Sequence, residues 1–107
     1  MKTWTVDYTE DAKKDIKDLD KSQASQVIKA IDRVSQNPLP NTEGGYGNPL
    51  GNKGSTNLTG FLKIKLVKLG IRVVYKLIRT DEVMKIIVVA ARADDEVYEI
   101  AAQRIND

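Results

Sequence analysis

Apolar and polar residues alternate near the start of the chain and then change to a helical spacing. Trp4, Val6 and Tyr8 alternate with polar residues, which is the period of a half-buried strand. Thr9 then offers a helix N-cap, and acidic residues follow it in what would be the first turn. Two apolar stripes at helical spacing come next, on either side of Asp20. They consist of Ala12, Ile16 and Leu19, and of Ala24, Val27, Ile28, Ile31 and Val34. The pattern predicts a strand followed by a helical hairpin.

A proline-containing segment, Asn37-Pro38-Leu39-Pro40, interrupts the helical spacing. Proline lacks the backbone donor and restricts the residue before it, so the second helix should end here. The stretch from Asn41 to Asn57 is rich in Gly, Asn, Ser and Thr and has no apolar period. We therefore predict a long exposed loop over about 41–57 that is mobile until it is bound.

The second half of the chain has the periods of strands. Leu62–Leu66 alternates strictly, Ile71–Ile78 is rich in β-branched residues, and Val83–Ala91 is apolar except for Lys85. The connections between them are short enough for hairpin turns, which predicts antiparallel pairing. Beyond Arg92, acidic residues mark the start of a last helix. Its apolar face consists of Val97, Ile100, Ala101 and Ile105.

These elements predict a single α+β domain over residues 1–107. The predicted order is βαα-βββ-α, and no repeat or linker divides it. The simplest architecture is a small, mainly antiparallel sheet that packs against an N-terminal helical hairpin and a C-terminal helix.

The composition excludes several kinds of chemistry. The chain has no cysteine and no histidine, so a thiolate nucleophile, a cysteine-based zinc site and the commonest general base are all missing. The N-terminus lacks the apolar stretch of a signal peptide, and the longest apolar run, Ile86–Ala91, is too short to cross a bilayer. We therefore expect a cytoplasmic protein that does not associate with membranes.

Positive charge is concentrated in the middle of the chain, although the net charge is only +2. The segment from Gly44 to Thr80 holds seven of the 17 basic residues and none of the 15 acidic ones. These seven are Lys53, Lys63, Lys65, Lys68, Arg72, Lys76 and Arg79. Such an asymmetry indicates a basic face for a polyanion on an otherwise acidic body, with a merely solvated strand face as the alternative.

Three of these cations are predicted to meet on one face of the sheet. Lys63 and Lys65 lie two residues apart on a strand and so share the face opposite to its apolar residues. In the simplest hairpin register, Lys65 stands opposite Arg72 and Lys63 stands opposite Val74. Because like charges facing each other across strands are destabilising, this arrangement favours an anionic ligand.

Crowded cations also provide a route to catalysis without histidine. Neighbouring positive charge disfavours the protonated form of an ammonium group, which makes a lysine a better proton acceptor. RNA supplies its own nucleophile in the 2′-hydroxyl. Cleavage then needs a base, cations that stabilise the phosphorane, and an acid for the leaving oxygen. Lysine and arginine can supply all of these.

The same residues resemble those of the RelE branch of the RelE/ParE toxins. The similar segments are Leu62–Leu66, Gly70–Tyr75, Arg92 and Glu96–Tyr98, and the element order agrees over nearly the whole chain. The resemblance implies a type II toxin that acts as a ribosome-dependent endoribonuclease and cuts mRNA in the decoding site. It also implies that no metal or other cofactor is required and that a cognate antitoxin silences the activity.

The resemblance assigns a role to each of five residues. Lys63 and Lys65 match the paired strand lysines that supply the base and stabilise the transition state. Arg72 matches a phosphate-binding arginine, and Arg92 matches the arginine thought to protonate the leaving group. Tyr98 matches a helix tyrosine that holds and stacks the substrate.

Each assignment has a structural alternative. Arg92 could pair with Asp94 or Asp95 as a surface ion bridge, and Tyr98 could be an aromatic residue at the rim of the core. Ala91 and Asp94 stand where the RelE pattern has further basic residues, which predicts weaker ribosome binding.

Two other functions stay open. The ParE branch has the same fold but binds DNA gyrase without catalysis and does not need the lysine and arginine set. A degenerate member could serve only as a binding module.

Overall fold

The computed structural model describes residues 3–53, 56–91 and 94–105, and it confirms the α+β class. Five strands form one sheet in the order β1-β5-β4-β3-β2, in which β1 is parallel to β5 and the other neighbours are antiparallel. The elements are β1 Thr5–Tyr8, α1 Glu10–Lys17, α2 Lys21–Val34, a 3₁₀ turn Asn41–Glu43, β2 Asn48–Lys53, β3 Thr56–Leu66, β4 Ile71–Ile78, β5 Val83–Ala90 and α3 Asp94–Ile105.

Both helices of the hairpin begin at a side-chain cap, Thr9 as predicted for α1 and Asp20 for α2. Thr9 Oγ1 accepts a hydrogen bond from the Ala12 amide at 3.1 Å, and Asp20 Oδ1 accepts one from the Gln23 amide at 2.8 Å. Each side chain satisfies a donor that the first turn of its helix leaves unpaired. Of the helices that the structure describes, none is both long and apolar enough to span a membrane.

Part of the segment predicted as a loop, about 41–57, is strand in the structure. Asn48–Lys53 forms β2, which pairs with β3, and β3 begins at Thr56 rather than at the predicted Leu62. The segment before β2 is fixed by the buried hydroxyl of Tyr75, which donates to the Pro38 carbonyl at 2.8 Å. Burial raises the pKa of this hydroxyl. A strand rich in glycine, asparagine and proline has no apolar period, so its pairing was not visible in the sequence.

An ion pair and backbone bonds also hold this loop. The two terminal nitrogens of Arg79, Nη1 and Nη2, donate to the carboxylate oxygens of Glu43 at 3.0 and 2.8 Å. This contact lowers the pKa of Glu43, although the pair is exposed to solvent and contributes little stability. The Gly47 amide donates to the Leu39 carbonyl at 3.0 Å, and the Asn41 amide donates to the Gly47 carbonyl at 2.7 Å. These contacts connect the segment before β2 to the proline segment and to Arg79 at the end of β4.

The sheet separates two apolar cores. On one face, α1 and α2 cover a core that includes Ile31, Val73 and Tyr75. On the other face, α3 covers a smaller core that includes Val74, Val88 and Val97. Ile28 is an exception to the predicted stripe of α2, because its side chain is 40% exposed.

Two irregularities in the sheet let adjacent strands serve both cores. In β3 the register with β2 shifts around Gly60, which has a φ of +91°, so that Leu58 faces the α3 core although Leu62 faces the other. In β5 the register with β4 shifts around Ile87, so that Ile87 and Val88 both face α3. Because β5 contributes to both cores, it is apolar apart from Lys85 instead of alternating.

A carboxylate joins α1 to α3 where β1 no longer covers β5. β1 pairs with β5 only as far as Ile86. Beyond that point, Asp15 Oδ2 accepts from the Val89 amide at 2.9 Å, and Arg104 Nη1 donates to the Ile87 carbonyl at 2.8 Å. Arg104 also donates through both terminal nitrogens to Asp15, at 2.7 and 3.1 Å, and this contact raises the pKa of Arg104. The two side chains thus satisfy the open edge of β5 and hold α3 in place.

Replacing Asp15 by alanine should lower the free energy of unfolding by about 2–4 kcal/mol, because the Arg104 charge and the Val89 amide would lose their acceptor in a partly buried site. Urea unfolding measures this change. The matched control is Glu10→Ala on the same helix, whose ion pair with Lys13 is exposed and should be worth less than about 1 kcal/mol. Equal effects of the two substitutions would show that the Asp15 bridge does not hold the helices together.

Candidate functional site

The predicted cations lie on the face of β3 and β4 that carries α3. Leu62, Ile64 and Leu66 pack toward α1 and α2, so the lysines between them point to the opposite face. The cross-strand register is the one predicted: Lys65 is the partner of Arg72, and Lys63 is the partner of Val74. Lys65 is exposed, whereas Lys63 and Arg72 are half-buried. The structure therefore brings all three cations together on one surface.

A hydrogen bond from Lys63 to the last helix fixes the position of its ammonium group. Lys63 Nζ donates to the hydroxyl of Tyr98 at 2.9 Å and lies 5.6 Å from the centre of the ring. The distance from Nζ to the ring centre is nearly the sum of two lengths, the hydrogen bond and the distance from the hydroxyl oxygen to the ring centre. The three points therefore lie almost on one line. The ammonium group therefore lies beyond the hydroxyl rather than over the ring face, and the contact is a hydrogen bond instead of a cation–π interaction.

Tyr98 is a core residue. Only 6% of its surface is exposed, and it belongs to the α3 core together with Val97 and Ala101. A base cannot stack on a ring that protein atoms cover, so this burial does not support the stacking role that the resemblance assigned to Tyr98. What the tyrosine does in this structure is to connect the α3 core to Lys63.

Arg72 is placed at the junction between β4 and the end of β5. Its Nη1 donates to the Gly70 carbonyl at 3.3 Å, and its cross-strand partner on the β5 side is Ala90. Arg92, the fifth predicted residue, lies outside the described residues. Ala90, two residues before Arg92, is the last residue of β5 and pairs with Arg72, so β5 ends beside Arg72.

The sequence analysis missed the residue on the other side of Lys63. Asn48 in β2 is the cross-strand partner of Lys63 and is exposed. Its side-chain oxygen accepts from Asn41 Nδ2 at 3.1 Å, which joins the segment before β2 to this surface. No apolar period marks β2, so only the pairing with β3 could have placed Asn48 here.

The other sites in the described part of the chain do not suggest a bound metal or small molecule. In residues 3–53, 56–91 and 94–105, no three acidic side chains come together in a way that would hold a metal ion. A cleft of about 480 Å³ lies between α1, β5 and α3, and its walls include Asp15 and Arg104. Because these two side chains already bond to each other, we assign the open cationic surface, and not this cleft, as the candidate site.

Comparison with known proteins supports the class of protein that this fold and surface suggest. The sequence model of the family described as "ParE toxin of type II toxin-antitoxin system, parDE" matches residues 6–96. This range covers most of the chain, including β3, β4 and the start of α3. The chain therefore belongs to this family of type II toxins, within the RelE/ParE superfamily.

Solved structures of RelE toxins have the same fold. A double arginine-to-alanine mutant of the E. coli toxin RelE in the free state has a TM-score of 0.74 and 28% identity, and the match covers 97% of this chain and 99% of that one. The RelBE2 toxin-antitoxin complex of Mycobacterium tuberculosis gives a TM-score of 0.69 at 24% identity and covers 88% and 97%. A comparison with curated protein sequences found no match.

The burial of Tyr98 predicts unequal effects of two substitutions on stability. Tyr98→Ala should lower the free energy of unfolding by about 3–5 kcal/mol, because it leaves a cavity in the α3 core. Tyr98→Phe keeps the ring and should cost about 1 kcal/mol, since only the hydroxyl acceptor of Lys63 is lost. Urea unfolding tests both, with Tyr46→Ala as the control, since Tyr46 is 58% exposed. If Tyr98→Ala were as mild as Tyr46→Ala, the tyrosine would not be part of the core.

Proposed function

We propose that this toxin is a metal-independent endoribonuclease that cleaves mRNA in the decoding site of the ribosome. The observation that carries the proposal is the register of β3 and β4, in which Lys65 faces Arg72 with Lys63 beside them. Two cations that face each other across antiparallel strands repel, and a bound phosphodiester would offset this repulsion. The surface is open, as a site for a macromolecule has to be.

The three cations divide the chemistry by their positions. Lys65 is the exposed one, and we assign it as the base that removes the proton from the RNA 2′-hydroxyl. The resulting oxygen attacks the adjacent phosphorus, forms a 2′,3′-cyclic phosphate and breaks the bond to the 5′-oxygen. Lys63, oriented by the Tyr98 hydroxyl, and Arg72 stabilise the negative charge that develops on the phosphorane.

Arg92 is our candidate for the group that protonates the departing 5′-oxygen. Support comes from its match to the RelE pattern and from its place in the chain, two residues after Ala90, which pairs with Arg72. An arginine can serve as the acid because the leaving oxygen becomes strongly basic as the bond breaks. This assignment depends on the resemblance more than those of Lys65 and Arg72 do.

Primer extension on a defined mRNA in a purified translation system tests the proposal. Wild type should cut within codons, and only when ribosomes are present. Lys65→Ala should lower the cleavage rate about 10²- to 10⁴-fold, because a positioned base is lost, and Arg72→Ala should lower it about 10²- to 10³-fold. The control is Lys29→Ala, an exposed lysine on α2 that should keep the rate within about twofold of wild type.

Two results would contradict this function. Full activity of Lys65→Ala would remove the assigned base, and cutting without ribosomes would keep the nuclease but remove its dependence on the ribosome. Absence of any cut, under conditions where the wild-type chain is folded, would favour the second candidate. That candidate is a ParE-like toxin that binds DNA gyrase, and the ParE family match is the observation in its favour. Inhibition of gyrase supercoiling by the same preparation would then support it.

A cognate antitoxin is the partner that this proposal requires. RelE of E. coli and RelBE2 of M. tuberculosis were solved in toxin-antitoxin complexes. In this chain, the exposed cationic surface around Lys65 suits an acidic partner segment that folds onto it.

Capture of the tagged Lys65→Ala chain at native expression level should recover one small partner in a stable complex. The lysine substitution protects the cell, so that the toxin can be expressed without selection against it. Recovery of the chain alone, confirmed as folded by circular dichroism, would contradict the antitoxin proposal.

A further inference from the structure

Asn48 extends the cationic surface on the side of the lysines that lies away from Arg72. It is the cross-strand partner of Lys63 in β2, whereas Val74 in β4 is the partner of Lys63 on the other side. Residues that stand opposite each other in an antiparallel pair have Cβ atoms about 4.5–5.5 Å apart and point to the same face of the sheet. Asn48 therefore lies next to Lys63 on the surface that also carries Lys65.

The neighbours of Asn48 along the chain agree with this placement. Leu50, two residues further on in β2, packs in the α3 core. Pro49 is the partner of Leu62, which packs toward α1 and α2. A Cβ on Gly47 would collide with the same Leu62 side chain. The residues on either side of Asn48 thus face α1 and α2, which leaves Asn48 on the face of α3 and the lysines.

A second asparagine fixes the orientation of the Asn48 amide. Asn41 Nδ2 donates to Asn48 Oδ1 at 3.1 Å, and the backbone amide of Asn41 donates to the Gly47 carbonyl at 2.7 Å. The Asn48 side chain is exposed, and its Nδ2 forms no hydrogen bond within the described part of the chain. Because Oδ1 points to Asn41, the amide nitrogen is the end that can bind a ligand.

An uncharged donor suits this position better than a further cation. A lysine or arginine at position 48 would directly face Lys63, and like charges that face each other across strands are destabilising. An amide can donate to an anionic oxygen without this repulsion, and such a hydrogen bond is stronger than one between neutral groups. Asparagine is one of the side chains that bind the phosphate and sugar oxygens of nucleic acids. The chemistry of Asn48 therefore fits a phosphate oxygen.

We propose that Asn48 is a substrate-binding residue whose Nδ2 donates to a phosphate that adjoins the scissile one. This inference rests on the proposed ribonuclease function and adds a contact on the β2 side of the site. β2 and β4 flank β3 and are two strand spacings apart, about 9–10 Å. RNA that crosses the sheet from β4 to β2 meets Arg72, then the two lysines of β3, and then Asn48. Asn41 is a positioning residue, because it orients the amide of Asn48.

The first measurement is cleavage on the ribosome by variants of the two asparagines. Asn48→Ala should lower kcat/KM about 10- to 100-fold, because a hydrogen bond to a charged acceptor is lost. Asn48→Asp can still accept from Asn41 but cannot donate to phosphate, so its activity should fall at least as far. Asn41→Ala keeps the donor and loses only its orientation, and should lower kcat/KM about two- to tenfold.

Thermal unfolding separates binding from stability in these variants. Asn48→Asp places a carboxylate opposite Lys63 and should melt at or above the temperature of wild type, although it is impaired in cleavage. The matched control is Gln36→Glu, the same exchange of an amide for an acid at an exposed residue just after α2. This control should cleave within about twofold of wild type.

The second measurement identifies the group that Asn48 binds. Synthetic mRNAs carry an uncharged methylphosphonate at one or the other of the two phosphates that adjoin the scissile one. At one of these positions, the modification should slow cleavage by wild type and by Gln36→Glu. Asn48→Ala should be slowed there by no more than about twofold, because its contact to that phosphate is already missing.

The two measurements separate this inference from the function it rests on. A wild-type chain that cuts, together with an Asn48→Ala chain that cuts equally well, would overturn the role of Asn48 and leave the ribonuclease intact. Full activity of Asn48→Asp would do the same, since a carboxylate cannot donate. So would equal sensitivity of wild type and Asn48→Ala to both modified mRNAs. A wild-type chain that does not cut would overturn the ribonuclease function and this inference with it.

Discussion

The sheet is buried on both faces, and most of the structure follows from this constraint. β4 and β5 have to offer apolar side chains to α1 and α2 on one side and to α3 on the other. A strand that alternated strictly between apolar and polar residues could serve only one of these faces. The register shifts around Gly60 and Ile87 change which face the neighbouring side chains point to. As a result Leu58, Ile87 and Val88 all reach the α3 core. On the face that carries α3, Lys63 is half-buried against Tyr98 of that helix, whereas Lys65 is exposed.

The candidate site lies next to α3, at the boundary between the buried and the exposed part of this face. Lys63 stands at the boundary, half-buried, with its ammonium group held by the hydroxyl of the buried Tyr98. Lys65 is one step further out and exposed, opposite Arg72. The Asp15–Arg104 bridge matters here although it is remote from the cations, because it anchors the helix that carries Tyr98. The bridge between Asp15 and Arg104 thus helps to position the ammonium group of Lys63, through the helix that carries Tyr98.

The family and the fold do not by themselves determine the activity. The same architecture serves toxins that cut RNA and toxins that bind gyrase, and the chain matches the model of the ParE family while resembling RelE structures at up to 28% identity. What distinguishes the two functions is whether a surface holds the groups that cleavage needs. For this reason the opposition of Lys65 and Arg72 carries more weight than the shape of the fold.

The sequence alone predicted the helices, four of the five strands and the register that sets Lys65 against Arg72, because caps, apolar periods and a short turn are local signals. It also indicated a helix around Tyr98 but left open whether the ring stacks on substrate or belongs to the core, since burial depends on how α3 crosses the sheet. β2 was invisible because glycine, asparagine and proline carry no apolar period, and a strand of such residues exists only through its pairing with β3. For the same reason only the tertiary structure could place Asn48 beside Lys63, because this pairing joins segments that are distant in sequence.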